Sequence, residues 1–305
     1  MAANKAQSIL VPDQSDQPPP GWSYDEAFCR NRGLIRPEEQ EILRNSRVAV
    51  AGLGGVGGID LVTLARLGIG RFTIADPDVF ELANTNRQFG ATQSAMGRAK
   101  AEVMAEIVHD INPKADIRVF KERVGPQNAE RFLEDVDVFV DGIEAFDIEV
   151  RRLLFRLAAR KGIYGLGAGP VGFSTVWVIF DPSGMSFDRY FGLCDDLNRI
   201  EQFAAYIVGM APRATHRSYL DSSYIDFKAH TGPSVSSACQ LAAGVLAAEV
   251  LKILLKRGRL LCAPHYHQYD PYLARYVRGR LIVGGQYHPL QRLKRYLLLK
   301  FLTKQ

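Results

Sequence analysis

A glycine-rich turn directly after an apolar run is the feature that most limits the fold of this chain. The stretch VAVAGLGGVGG, Val48 to Gly58, contains Gly52, Gly54, Gly55 and Gly57. Glycines let the backbone approach a phosphate group closely, and the helix that follows offers unpaired amides and the positive end of its dipole. Between a strand and a helix, this pattern predicts nucleotide binding; a turn that serves only tight helix packing is the alternative.

Strand-like and helix-like segments alternate along the chain. Strands are predicted at 48–51, 72–75, 117–120 and 136–140, and helices at 59–67, 98–111, 127–133 and 149–161. Strands that alternate with helices predict an α/β, Rossmann-like fold with a mostly parallel sheet and helices on both faces. A crossover segment at 181–231 and a C-terminal helical tail complete the expected architecture.

Composition divides the chain into three regions. Residues 1–23 are polar and proline-rich and are expected to be disordered, and residues 24–270 should form the nucleotide-binding domain. Residues 271–305 form a basic extension with eight lysines and arginines and no acid. Since the net charge is +5, the rest of the chain is acidic, and the pI near 9.0 does not predict that the whole protein binds nucleic acid.

The apolar runs and the cysteines indicate the compartment. No uninterrupted apolar run approaches the roughly 18 residues of a membrane span, and the polar start MAANKAQ does not resemble a secretion signal. We therefore expect a cytoplasmic protein without a membrane span. The four cysteines form no Cys-x-x-Cys pair, which predicts reduced thiols and no structural zinc.

The segment after the second predicted strand distinguishes between two classes of nucleotide-binding enzyme, those that use ATP and the dehydrogenases. Asp76 stands where an acid would bind a ribose hydroxyl, and the following loop, DPDVFELANTNRQFG, carries Asn84, Arg87 and Gln88. Lys100 follows near the start of the next helix. Charge that develops on a triphosphate is stabilised by such cations, whereas a dehydrogenase has no general need for them. Taken singly, Arg87 and Lys100 could equally be solvated surface residues.

Over roughly residues 24–270 the chain resembles the ubiquitin-activating-enzyme-like adenylyltransferases of the ThiF/MoeB/HesA type. The resemblance rests on a string of motifs: an arginine-bearing N-terminal helix, GLGGVG, the acids Asp76 and Asp78, NTNRQ, G-x-A-K, INP, an acid after VDVFVDG, and the late AAEVLK helix. It implies an ATP-binding adenylyltransferase domain with ATP and Mg²⁺ as cofactors.

The resemblance also implies a reaction. A carboxylate, typically the C-terminal glycine of a ubiquitin-like or sulfur-carrier protein, attacks the α-phosphorus of ATP; pyrophosphate leaves and an acyl-adenylate remains. Arg30 would reach the neighbouring subunit's site in a homodimer. The remaining implied contacts are the glycine turn on ATP, Asp76 on the ribose, and Asn84, Arg87, Gln88 and Lys100 on the phosphates.

Two positions depart from the family's pattern. Many relatives hold magnesium with an aspartate after the fourth strand, where this chain offers Glu144, with Asp147 as a rival. Thioester-forming relatives place a cysteine just before the late helix, where this chain reads DFKAHTG. Cys194 is the only cysteine in the crossover and is the candidate thiol, whereas Cys239 is expected to pack within a helix. Transfer to an external nucleophile is favoured over a thioester.

Other functions stay open at this point. Within the same superfamily they are a tRNA threonylcarbamoyladenosine dehydratase-like enzyme and a peptide-modifying adenylating enzyme; outside it, an NAD-dependent oxidoreductase or an inactive scaffold subunit. The tail HPLQRLKRYLLLKFLTKQ predicts a basic amphipathic helix. Docking of this helix on the body or on a dimer partner is favoured over contact with an acidic partner, a membrane or RNA. Its expected apolar side consists of Leu290, Leu293, Leu297 and Phe301.

Overall fold

The computed structural model of the chain describes residues 21–226, 229 and 231–302, apart from the side chain at position 286. Most of the predicted disordered region, residues 1–20, therefore lies outside the described residues. The strands are β1 (Arg47–Ala51), β2 (Arg71–Ala75), β3 (Asp116–Phe120), β4 (Val138–Asp141), β5 (Tyr164–Val171), β6 (Ser174–Phe180), β7 (His265–Asp270) and β8 (Arg275–Arg280).

The helices fill the intervals between these strands. They are α1 (Tyr24–Ala27), α2 (Pro37–Asn45), α3 (Gly57–Arg66), α4 (Lys100–Ile111), α5 (Ala129–Phe132), α6 (Ile148–Arg160), α7 (Phe187–Phe191), α8 (Arg199–Met210), α9 (Ser236–Leu254), α10 (Gly284–Tyr287) and α11 (Pro289–Leu302). The four strands and four helices predicted before residue 162 are all present, and each observed end lies within two residues of the predicted one.

The eight strands form one sheet in the order β3-β2-β1-β4-β5-β6-β7-β8. The first five are parallel, and β6, β7 and β8 continue the sheet as antiparallel strands. The fold is thus the expected mostly parallel Rossmann-like sheet. Because β1 lies between β2 and β4, the order of the strands reverses there, and in such sheets ligands bind outside the carboxyl ends of the strands at this switch point.

Apolar clusters cover both faces of the sheet. On one face α2, α3, α4 and α9 pack on the strands through buried side chains such as Leu43, Leu61, Met104 and Leu246. On the other face α5 to α8 contribute aromatic side chains, including Phe132, Phe155, Phe187 and Tyr206. Every residue of β1 is buried, as expected of a central parallel strand covered on both sides.

One of the described helices, α9, is long and apolar enough to cross a membrane by length and composition alone. In this fold α9 is a core helix. It packs against β5, β6 and α3 and places Ala242, Leu246 and Val250 in the apolar cluster.

The crossover and the basic extension are both structured in part. The crossover contains α7 and α8, and α8 packs against α11. The extension contributes β8 to the sheet and ends in α11. The predicted apolar side of α11 does not dock on α8: Leu290 and Leu297 are more than half exposed. The docked side carries Leu298 and Leu302 instead.

Candidate functional site

The site is built where β1 and β4 end side by side. Ala51 and Asp141 are register partners, and each is followed by a glycine, Gly52 and Gly142. A methyl group at Gly52 would overlap the carbonyl oxygen of Gly142, and one at Gly57 would overlap the carbonyl oxygen of Gly52. Gly52 also has φ +84°, a conformation that glycine favours. These glycines therefore allow the turn, the start of α3 and the end of β4 to touch.

The other two glycines of the turn face side chains. A methyl group at Gly54 would lie 3.7 Å from Nε2 of Gln88. One at Gly55 would lie 3.2 Å from Sγ of Cys239 and 3.4 Å from Cγ of Arg87. The structure therefore brings the glycine turn, the NTNRQ loop and the first turn of α9 into contact.

A cavity of about 230 Å³ lies at this contact, and Arg87, Gln88 and Cys239 line it. The Gln88 side chain is almost fully buried, and its Oε1 accepts no hydrogen bond from any described residue. A buried polar atom without a partner costs about 1–3 kcal/mol, so such atoms are rare in folded proteins. The atom of Gln88 that lies beside the glycine turn is its amide nitrogen Nε2, a hydrogen-bond donor.

Asp76 fastens the glycine turn to β2. Its Oδ2 accepts a hydrogen bond from the amide of Leu53 at 2.7 Å, and its Oδ1 accepts one from the amide of Asp78 at 2.9 Å. Burial raises the pKa of Asp76, although both hydrogen bonds oppose that shift. Lys100 is buried at the start of α4, and its Nζ lies 3.1 Å from Oδ2 of Asp78. Asp76, Asp78 and Lys100 thus form one connected group behind the turn.

The NTNRQ loop is held largely by its own hydrogen bonds. Arg87 donates through Nη1 to the carbonyl of Ala83 and to Oδ1 of Asn86, both at 3.0 Å. Asn86 in turn donates to the carbonyl of Ser234, next to the start of α9, at 2.9 Å. The side chain of Asn84 accepts from the amide of Glu81 at 3.0 Å and so caps a short 3₁₀ helix.

Residues 142–147, which we call the acidic loop, connect β4 to α6. The side chain of Glu144 is exposed, whereas Asp147 forms an ion pair with Arg123. Asp141 precedes the loop and is buried against Arg151, with 2.6 Å between its Oδ2 and the arginine Nε. Burial raises the pKa of Asp141 although Arg151 opposes the shift.

Arg30 and Cys194 do not line the cavity described above. Arg30 is exposed in a short 3₁₀ helix, Cys29–Asn31, and makes no ion pair within the described part of the chain. Cys194 is half-buried after α7, within electrostatic range of Arg295. The structure does not test either role, and both stay predictions.

The thiol that does line the cavity is Cys239, which the sequence suggested only as a packing residue. Burial raises its pKa, and the nearby Arg87 opposes that shift. Gly142 was also missed, although the pair Asp-Gly at the end of an apolar strand is a usable signal. Arg151 belongs to none of the motifs identified in the sequence. Its contacts depend on how α6 packs against the end of β4.

A sequence model of the ThiF family matches residues 28–282. The tRNA threonylcarbamoyladenosine dehydratase of Haemophilus influenzae is 31% identical over 154 residues, 50% of this chain and 58% of that protein. The probable adenylyltransferase/sulfurtransferase MoeZ of Mycobacterium tuberculosis is 34% identical over 134 residues, 43% of this chain and 34% of that protein. The match therefore spans less than two thirds of either relative.

A solved structure shows the same fold. Escherichia coli MccB, crystallised with MccA-N7isoASN, is similar to this chain with a TM-score of 0.61. The likeness covers 81% of this chain and 67% of MccB, at 18% sequence identity. At that identity the similarity concerns the fold alone.

Proposed function

The chain belongs to the ThiF family, and from this premise we propose that it is an ATP-dependent adenylyltransferase that activates a carboxylate as an acyl-adenylate. One observation supports this most strongly: the glycine turn lies against Arg87 and Gln88, and these two side chains line a cavity at the switch point of the sheet. Relatives in this family are adenylyltransferases, as the name of MoeZ states.

The residues present fit ATP. Gly54 leaves space near the start of α3, where amides without helical partners can donate hydrogen bonds to phosphate oxygens. A cavity of about 230 Å³ is smaller than a typical ligand pocket of roughly 300–1,000 Å³, so it suits the phosphates rather than the whole nucleotide. Each oxygen of Asp76 accepts one backbone hydrogen bond and keeps a lone pair for a ribose hydroxyl.

In this proposal the cations act through charge alone. Arg87 and Lys100 stabilise the negative charge that develops when the substrate carboxylate attacks the α-phosphorus and pyrophosphate leaves. Lys100 is held by Asp78, which limits the motion of its ammonium group before the reaction. No covalent nucleophile of the protein is needed for this step, since catalysis comes from positioning and electrostatics.

Of the two acids suggested for Mg²⁺, Glu144 fits better. Its carboxylate is exposed and has no ion pair within the described residues, whereas Asp147 is engaged by Arg123. Mg²⁺ prefers one or two carboxylates together with phosphate oxygens and water. When bound, the ion would neutralise charge on the phosphates.

The C-terminal glycine of a ubiquitin-like or sulfur-carrier protein is the substrate we propose. The name of the probable adenylyltransferase/sulfurtransferase MoeZ, which joins adenylation to sulfur transfer, supports the sulfur-carrier alternative. We also propose a homodimer in which Arg30 of each subunit serves the other subunit's site. The exposure of Arg30 and its lack of an ion pair in the described structure are consistent with such a role.

A tRNA adduct is the second candidate substrate. It is favoured by the 31% identity to the Haemophilus influenzae dehydratase and by the basic extension, which lacks acids. A peptide-modifying reaction stays a further alternative. An oxidoreductase would bind NAD without releasing pyrophosphate, and a scaffold subunit would not need Arg87 and Lys100.

Alanine substitutions at Arg87 and Lys100 test the assignment of the cations. Each is expected to lower the rate of ATP–pyrophosphate exchange about 100-fold or more, because each removes charge stabilisation from the transition state. Arg98→Ala is the matched control: Arg98 is exposed and pairs with Glu106 on the surface of α4, so exchange should stay at the wild-type rate. Thermal melts confirm that all three variants fold. Wild-type exchange in both Arg87→Ala and Lys100→Ala would show that the assignment is wrong.

A further inference from the structure

The acidic loop carries Glu144 and has two backbone hydrogen bonds of its own, from the amide of Gly142 to the carbonyl of Ala51 at 2.8 Å and from the amide of Asp147 to the carbonyl of Glu144 at 3.0 Å. It is six residues long and contains Gly142, and its side chain at position 144 is exposed. A carboxylate in such a loop can bind a cation only if the backbone path is fixed by other residues. The contacts of the loop therefore show which residue fixes it.

Arg151, in the first half of α6, reaches back to three points of this segment. Its Nε donates to Oδ2 of Asp141 at 2.6 Å, its Nη1 donates to the carbonyl of Glu144 at 3.3 Å, and its Nη2 donates to the carbonyl of Ile143. Asp141 also accepts from the amide of Ile143 at 3.1 Å. The guanidinium thus holds the backbone of Ile143 and Glu144 directly.

The side chains involved are almost completely buried. Arg151 and Asp141 each have a side-chain exposure of 2%. A buried guanidinium is costly unless its donors are hydrogen-bonded, and here they bind Asp141 and the first half of the acidic loop. A lysine has a single ammonium group and cannot reproduce this planar, divergent set of donors.

The crossover helix α8 contacts both Arg151 and the acidic loop. The guanidinium of Arg151 lies 4.4 Å from the ring centroid of Tyr206. One turn earlier on α8, the ring of Phe203 stacks on Phe146 of the acidic loop, with centroids 4.6 Å apart and an angle of 3° between the planes. The loop is therefore clamped between α6 and α8.

We propose that Arg151 is the positioning residue of the acidic loop, and that it fixes the backbone of Ile143 and Glu144 so that the Glu144 carboxylate can bind Mg²⁺. Arg151 touches neither ATP nor the metal in this proposal and acts through the loop. The part that concerns Mg²⁺ rests on the proposed adenylyltransferase function.

The neighbouring arginine provides a matched control. Arg152 lies on the same helix, is also buried, and pairs with Asp188 of α7 at 2.9 Å and with Asp195 at 2.7 Å. Its partners lie in the crossover and not in the acidic loop. Arg152→Met therefore removes a buried guanidinium and its ion pairs and leaves the contacts of the acidic loop in place.

The experiment compares Arg151→Lys, Arg151→Met and Arg152→Met in the full chain. Peptide-resolved hydrogen exchange reports the protection of residues 142–147, and Mg²⁺ titration of ATP–pyrophosphate exchange reports metal use. Both Arg151 variants should lose protection in the acidic loop about tenfold or more while β1 stays protected. They should also need about tenfold more Mg²⁺ for half-maximal exchange, as for residues that orient metal ligands. Arg152→Met should do neither.

The two readouts separate the possible failures. Unchanged protection of residues 142–147 in both Arg151 variants, or equal losses in Arg152→Met, would overturn the positioning role. Lost protection with an unchanged Mg²⁺ requirement would overturn the link to the metal. If the wild-type chain shows no exchange with any carboxylate, the proposed function fails, while hydrogen exchange still decides whether Arg151 holds the loop. If Arg151→Met does not fold, Arg151→Lys, which keeps the positive charge, is compared with Arg152→Met instead.

Discussion

Two buried carboxyl groups interact near the start of α3, and only one of them has a partner. Asp141 is paired with Arg151. Asp60, in the first turn of α3, is fully buried, and neither of its oxygens makes a hydrogen bond to a described residue. Burial, with a smaller contribution from Asp141, raises the pKa of Asp60 well above its ordinary value. Asp60 therefore keeps its proton at pH values where exposed aspartates have lost theirs.

Asp60→Asn is expected to remove a pH dependence of stability. In the wild-type chain the unfolded state loses the Asp60 proton near pH 4 while the folded state retains it. Stability should then fall as pH rises from about 4 towards the raised pKa, by up to about 1.4 kcal/mol per pH unit. Urea unfolding of both proteins between pH 5 and 8 measures this difference.

The variant should lack that fall and gain stability relative to wild type as pH rises. Asp110→Asn is the control, because Asp110 is exposed on α4. Parallel stability curves for wild type and Asp60→Asn across this range would contradict a protonated, buried Asp60.

The candidate site residues predicted from the sequence lie within short motifs. Asp76 follows β2, Lys100 opens α4, and Arg87 and Gln88 belong to the NTNRQ motif. The structure places Asp76, Arg87 and Gln88 next to the glycine turn and pairs Lys100 with Asp78. Arg151 could not be named, because its contacts join α6 to the end of β4 and to α8. Such contacts between elements depend on packing that local sequence does not encode.

The elements before residue 162 were predictable because their hydrophobic period changes clearly between strand and helix. The antiparallel direction of β6, β7 and β8 was not predictable, because β7 and β8 follow a long crossover with weak periodicity and their pairing depends on how that crossover returns the chain to the sheet. The predicted apolar face of α11 is also not the face that packs on α8. Arg295 donates to the carbonyl of Phe191 and Lys294 to that of Pro212, so basic residues lie on the docked side and four apolar residues remain exposed. A hydrophobic pattern alone does not predict a docked face that combines Leu298 and Leu302 with cations bound to carbonyl groups.

Adjacent positions on α11 test which face is docked. Leu298 packs with Phe203 and Ala204 of α8 in the cluster that also contains Phe146 of the acidic loop. Leu298→Asp should lower the free energy of unfolding by about 2 kcal/mol, because it places a charge in an apolar contact. Chemical denaturation monitored by circular dichroism gives this value.

Leu297 is the matched control, since it is 53% exposed one position away. Leu297→Asp should change stability by less than about 0.5 kcal/mol, as exposed substitutions usually do. A larger loss in Leu297→Asp than in Leu298→Asp would mean that α11 docks through the opposite face.

At the scale of the whole molecule, the proposed homodimer can be tested by complementation. In the proposed dimer each site combines Asp76 of one subunit with Arg30 of the other. Arg30→Ala and Asp76→Ala therefore each remove one of these two residues. In a mixed dimer, one of the two sites would contain both intact residues, so partial exchange activity should return when the variants are combined. Differently tagged subunits, purified by two affinity steps, provide the mixed dimers. No recovery in proven mixed dimers would count against Arg30 acting across the interface, and a monomer in solution would exclude the arrangement.

ATP–pyrophosphate exchange by the purified wild-type chain tests carboxylate adenylation most directly. The chain is supplied with small β-grasp proteins and, separately, with total tRNA. We expect labelled pyrophosphate to enter ATP only when a small protein with a free C-terminal glycine is present, because attack on the α-phosphorus is reversible only with that carboxylate in place. Exchange that requires tRNA would shift the substrate to the second candidate. No exchange with any of these substrates, together with tight binding of NAD in calorimetry, would contradict adenylation and indicate a redox enzyme.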